Sequence, residues 1–320
     1  METKMSPISE SIVVSENDAA LDASCKNLLA FKEILAQILK EIAKEFRDCA
    51  IPDIISLMSE PQVGSVPVNP GMENAAAKVG SMGEEDASVS EGTVRYDIRF
   101  RVRLPKSQES TELIVNIEAQ NNFNPGYSLV TRGIYYVGRM ISSQKESDYG
   151  FAGSNYQRLK KVYSIWICVK PAAEWRNTIT LYQLEEKNLV GKAHETQQNY
   201  DKLCVAIVGL GDGKDKSASG ILRLLQALLS DMPVHEKEEI LEKEFGIQTT
   251  QPLRKEMEDM CNYSKGVREE ALEEGIVIMI STLFEIGLSS DEIVQKLMSG
   301  YQLSKEDAQK YVADYQAAHK

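Results

Sequence analysis

Thr93-Val-Arg-Tyr-Asp-Ile-Arg-Phe-Arg-Val-Arg-Leu104 and, after a turn at Pro105-Lys-Ser-Gln-Glu-Ser110, Glu112-Leu-Ile-Val-Asn-Ile-Glu-Ala-Gln120 are the stretches that decide the fold. In the first, Val94, Tyr96, Ile98, Phe100, Val102 and Leu104 alternate with Arg95, Asp97, Arg99, Arg101 and Arg103, the period-two pattern of a strand with two unlike faces. Symmetric pairing around the turn makes a hairpin in which Asp97 faces Glu118 and Arg95 faces Gln120. Asp97, Glu118 and Gln120 then converge on one side of the sheet, because side chains alternate faces along each strand.

Two carboxylates opposed across a ladder repel each other, so solvent, flanking arginines or a divalent cation must offset the repulsion. Two hard oxygen ligands suit Mg²⁺ or Mn²⁺, which bind one or two protein carboxylates and complete their shell with water and substrate phosphate. An ordinary cross-strand lattice of acids and arginines on a surface strand produces the same pattern, and the spacing alone leaves both readings open.

Working outward, residues 1–24 are polar and aperiodic and read as a loose tail. Leu28, Leu29, Phe31, Ile34, Leu35, Ile38, Leu39, Ile42 and Phe46 recur at helical spacing and predict one amphipathic helix over Asn27–Phe46. The segment 60–92, rich in Pro, Gly, Ser and acid, reads as an irregular insertion, with Val63–Val68 as a candidate edge strand. Downstream, the pattern predicts a helix over Tyr127–Gln144, strands over Lys161–Lys170, Thr178–Leu184 and Lys202–Val208, and a helix over Ser219–Ser230. The mixture is α/β in class, with α+β character: a central mixed sheet flanked by helices. From residue 232 to 320 only helices are expected: His235–Phe245, then Leu253–Phe284 interrupted at Gly266 and Gly275, and two more opened by Ser289-Ser-Asp-Glu292, a capping box, and Ser304-Lys-Glu-Asp307.

The chain has 320 residues, 36 Lys+Arg against 48 Asp+Glu, and 42% hydrophobic content, enough for one large domain or two modest ones. No apolar run approaches the ~20 residues of a spanning helix, and the N-terminus lacks the basic and apolar regions of a signal peptide, so a cytoplasmic protein without a membrane partner is expected. The five cysteines (Cys25, Cys49, Cys168, Cys204, Cys261) contain no Cys-x-x-Cys, and the three histidines show no metal-ligand spacing, so neither a disulfide framework nor a zinc site is expected. Charge is unevenly spread. Thr93–Tyr163 holds eleven basic residues and six acids, a net of +5 that leaves −17 for the remainder. That basic middle fits a local polyanion site, and equally a solvated strand face.

Tyr96-Asp97, a turn, and Ile117-Glu118-Ala119-Gln120 resemble the PD-(D/E)XK nuclease fold, specifically its recombination-promoting nuclease and transposase branch, whose motif ends in Glu-x-Gln. The resemblance extends in order through Lys32–Ala36 and Phe46–Cys49, Thr93–Phe100, Asn116–Gln120, Pro125–Tyr127, Arg132–Tyr136, Arg139–Gln144 and Val162–Cys168, covering about residues 25–213. It implies a restriction-endonuclease-like core over 25–231, followed by a helical C-terminal region, 232–320. It also implies a Mg²⁺-dependent DNA endonuclease with a part in recombination or transposition, Asp97 and Glu118 holding the metal and Gln120 standing where the wider superfamily has a lysine. A neutral amide orients water but supplies no charge. A catalytically weakened DNA-binding protein and a protein-interaction scaffold are the alternatives.

Arg132, Tyr136, Arg139 and Ser143 fall on one helical face, which would suit phosphates or solvent; with Arg95 and Arg99, they make Arg132, Tyr136 and Arg139 the DNA-contact candidates. Glu33, Glu41 and Glu45 are candidates for an additional acid of the kind that the superfamily's first helix often supplies. Gly209-x-Gly211-x-Gly213 mimics a dinucleotide-binding turn but has the wrong spacing. The acidic helices after Gly287 read as a packing or homo-oligomerising module rather than a DNA-reading one.

Overall fold

The alternating run at 94–103 does form a strand. In the structure, a computed structural model that describes residues 16–68, 94–105, 112–120, 125–147, 150–211, 218 and 220–318, six strands make one mixed sheet. They are β1 (Gln62–Val68), β2 (Val94–Arg103), β3 (Glu112–Gln120), β4 (Val162–Cys168), β5 (Thr178–Gln183) and β6 (Leu203–Gly209), in spatial order β1-β2-β3-β4-β6-β5. β1, β2 and β3 run antiparallel, β3, β4 and β6 parallel, and β5 antiparallel to β6. The nearly all-apolar run at 162–168 occupies the parallel centre, where both faces are covered and every residue is buried.

Ten helices are described: α1 (Glu16–Leu29), α2 (Lys32–Ile42), α3 (Ile51–Leu57), α4 (Leu129–Ser142), the single turn α5 (Gln197–Tyr200), α6 (Gly220–Leu228), α7 (Val234–Phe245), α8 (Gln251–Glu285), α9 (Ser290–Tyr301) and α10 (Lys305–Ala318). One sheet face is covered by α4. Its Leu129, Tyr136, Val137 and Met140 pack with Ile114, Val162, Trp166, Val205 and Ile207. On the other face, α3 packs against β2 and α2 against α3 and α6. Burying a side chain of this size contributes roughly 1.5–3 kcal/mol, so each of these faces is a substantial term.

Several expectations need correction. Helix α1 starts at Glu16, within the segment read as a loose tail. The helix predicted over Asn27–Phe46 is two helices and a 3₁₀ turn, broken at Phe31, whose extended backbone (ψ 129°) precedes α2. No Gly or Pro marks that break; Leu28, Leu29, Ile34 and Leu35 are all fully buried across it, so tertiary packing decides it. Conversely, α8 runs unbroken through Gly266 and Gly275, since one helical glycine costs only about 1 kcal/mol. At Gly275 a Cβ would lie 3.3 Å from the Tyr301 hydroxyl, so the glycine admits a neighbouring ring. Helix α3, which the pattern left unread, has Pro52 in its first turn. Most of the 60–92 insertion lies outside the described residues, but β1 within it pairs with β2.

The chain forms two compact units, the larger Ala20–Cys261 and the smaller made of the residues on either side of it. The larger contains the sheet, and α7 packs on its α6. The smaller has its own core of Ile276, Ile280, Ile293, Val294, Leu297, Ala308 and Val312. Its α9 opens on the expected capping box, in which the Ser289 hydroxyl accepts from the Glu292 N–H and the Glu292 carboxylate accepts from the Ser289 N–H. Among the described residues, no helix is long and apolar enough to cross a membrane.

Candidate active site

The hairpin register positions the acids. β2 and β3 pair from Ile98 with Ile117 to Arg103 with Glu112, the register that opposes Asp97 to Glu118 one step further out. There the ladder gives way to a reciprocal clasp. The Asp97 N–H donates to Glu118 Oε1 at 3.2 Å, and the Ala119 N–H donates to Asp97 Oδ2 at 3.2 Å. Each carboxylate thus holds the other strand's backbone, and both lie on the sheet face that Asn116 and Gln120 share with Ser164 and Trp166 of β4.

Burial makes this pair electrostatically demanding. Glu118 is only 4% exposed. Burial first, and then the charge of Asp97, push its carboxyl from 4.5 up to about 8, against the hydrogen bonds from Asp97 N–H and Asn116 and the charge of Arg132. Burial raises Asp97 as well, opposed chiefly by Lys26. The Asn116 amide donates to Ser164 Oγ at 3.3 Å, while its buried Oδ1 has no partner. One buried and one half-buried carboxylate with an orphaned amide oxygen make a donor set that suits a hard divalent cation such as Mg²⁺, although no cluster of three His, Cys, Asp or Glu metal donors occurs among the described residues.

Two cationic groups flank the pair. Lys26 of α1 lies 3.0 Å from Asp97 Oδ1 and also pairs with Asp22 one turn earlier. Arg132 of α4 is held from several sides: its guanidinium donates to the Tyr136 hydroxyl at 2.7 and 3.2 Å and to the Tyr127 hydroxyl at 2.8 Å. It also lies 5.1 and 5.2 Å from the ring centres of Tyr136 and Trp166. Stacking and hydroxyl acceptors together fix a group that would otherwise swing freely. Two glycines allow this. Gly126, at φ +90°, turns the chain before α4, and a Cβ on Gly133 would meet Val205 Cγ1 at 2.6 Å, so α4 can lie close on the sheet.

Not every sequence candidate gathers here. Asp97, Glu118, Gln120, Arg132 and Tyr136 share the neighbourhood; Gln120 is half-buried and engaged within the protein. Arg99 and Arg139 are buried, at 6% and 5% exposure, and each is held by interactions of its own. Ser143 is buried too and donates to the Met140 carbonyl. The face proposed for Arg132, Tyr136, Arg139 and Ser143 is therefore mostly packing surface, because α4 lies along the sheet. Arg99 sits in the ladder between Gln62 of β1 and Asn116 of β3. The side chain of Arg95 lies outside the described residues. Glu45 binds Lys161 at 2.9 Å and the Tyr163 hydroxyl at 2.7 Å, at the start of the parallel strands and away from Glu118. Lys161 is also bound by Asp201 at 2.9 Å. The acid nearest the pair from the first helices is instead Asp22.

Lys26 and Asp22 were missed by the sequence reading. Their i, i+4 spacing was the available signal, set in a segment without amphipathic periodicity. The glycine decoy is explained by packing, since a Cβ at Gly209 would lie 1.8 Å from the Trp175 carbonyl oxygen.

No protein-family model matches the chain, no curated protein matches its sequence, and no solved structure matches its fold.

Proposed function

We propose that the protein is a Mg²⁺-dependent DNA endonuclease of PD-(D/E)XK type, built on a restriction-endonuclease-like core. The observation that carries this reading is the clasped Asp97–Glu118 pair on adjacent strands, Glu118 buried and Asp97 half-buried, with the fixed guanidinium of Arg132 beside it. A resident divalent ion supplies a bound water of lowered pKa and neutralises charge on a scissile phosphate. In this reading Asp97 and Glu118 hold that ion, Mn²⁺ being a substitute. Arg132, already ordered by Tyr127 and Tyr136, receives a phosphate oxygen without further loss of side-chain freedom. Gln120, on the same face two residues beyond Glu118, orients the attacking water by hydrogen bonding. The +5 stretch from Thr93 to Tyr163 attracts the polyanion.

A second reading, a nuclease-fold protein that binds DNA but cleaves it feebly, is favoured by one observation: position 120 is a neutral glutamine. Plasmid nicking in Mg²⁺, with EDTA and Asp97→Ala as controls, separates the two. Cleavage by the wild type alone supports the endonuclease. Equal conversion by wild type and Asp97→Ala refutes it, and salt-dependent DNA retention without cleavage selects the second reading.

A further inference from the structure

The cation nearest the acid pair comes from outside the strands that carry it. Lys26 Nζ touches Asp97 Oδ1 at 3.0 Å while remaining paired with Asp22, whose side chain is 40% exposed. Asp97 Oδ2 is tied to the Ala119 N–H. Oδ1 is thus the oxygen whose partner sits on a long, flexible stem that can exchange it. Lys26 has a second acceptor already in contact, so it can leave Asp97 without becoming a bare charge. The Oδ1 of Asn116, two residues before Glu118 on the same face, is buried without a hydrogen-bond partner.

We propose that Lys26 is a positioning residue that serves as an internal counter-ion for the acid pair, holding the Asp97 carboxylate in place and competing with a divalent cation for Oδ1, which it yields by moving onto Asp22. The inference rests on the metal-binding reading above. It makes divalent-ion affinity lower than the two carboxylates alone would give, because binding must displace or crowd a positive charge a few ångströms away.

The test is calorimetric titration of the full chain with CaCl₂ and with MgCl₂, without DNA, on wild type, Lys26→Met, Lys26→Gln, Lys26→Arg and Asp97→Asn, each checked for folding by circular dichroism. Removing the ammonium is expected to tighten ion binding about tenfold or more in both Lys26→Met and Lys26→Gln. Lys26→Arg stays near wild type, and Asp97→Asn binds weakest. A merely structural lysine would leave the affinity unchanged or lower it in the neutral variants; that result overturns the inference while wild-type binding, lost in Asp97→Asn, keeps the metal reading intact. If neither wild type nor the neutral variants bind either ion, the metal reading itself fails and the inference falls with it.

Discussion

Replacing Glu118 with Gln isolates the electrostatic cost of the acid pair. The folded carboxyl keeps its proton up to about pH 8, whereas the unfolded one loses it near 4.5. Between those values the native state binds the extra proton, so the contribution of Glu118 to wild-type stability falls as pH rises through that window and is flat on either side of it. At about 1.4 kcal/mol per pH unit, the span from 4.5 to about 8 amounts to about 5 kcal/mol. Glutamine retains an oxygen that can accept from the Asp97 N–H but carries no charge to desolvate. Urea denaturation in EDTA is therefore expected to give similar midpoints for wild type and Glu118→Gln at pH 5. At pH 9 the variant is the more stable by roughly that amount. Adding Mg²⁺ at pH 9 then restores wild type and leaves the variant unmoved. A difference between the two proteins that is the same at pH 5 and pH 9 would refute the reasoning.

Three other outcomes are expected. Gly209→Ala drives a Cβ to within 1.8 Å of the Trp175 carbonyl oxygen; backbone cannot yield cheaply, so thermal unfolding should show a loss of about 3 kcal/mol or more, or no folded protein. Arg132→Gln should reduce the slope of log DNA affinity against log salt by about one, as read by fluorescence anisotropy; an unchanged slope means Arg132 meets no phosphate. Ser289→Ala removes the capping hydroxyl of α9 and should cost about 1 kcal/mol, with hydrogen exchange rising in α9 and α10 and unchanged in the sheet.

How much of this was legible in the sequence depends on how local each determinant is. The β2–β3 register could be read from residues alone because a period-two first strand and a short turn leave one symmetric pairing with the second. The buried centre at 162–168 was equally plain, since only a covered strand tolerates such an apolar run. Strand order was not: β6 lies between β4 and β5, and no residue near either strand encodes that insertion. Nor was the burial of Arg99, which the alternating pattern placed on a polar face. Lys26 was hidden for the same reason. Its partner Asp97 lies far along the chain, and the helix that presents it has no apolar stripe to announce it. The break at Phe31 had no local breaker at all; it exists because the cores on either side demand it.

The knot of Glu45, Lys161, Tyr163 and Asp201 joins positions 116, 118 and 40 residues apart. Closing chain segments of that length spends conformational entropy before the ion pairs return any, so such contacts are completed late on the folding route. Interactions absent from the transition state hold back unfolding without hastening folding. Glu45→Gln should accordingly speed escape from the native state in stopped-flow urea jumps while leaving the refolding limb nearly unchanged. On that expectation, a cluster at the end of the sheet remote from the acid pair adds to the lifetime of the native chain.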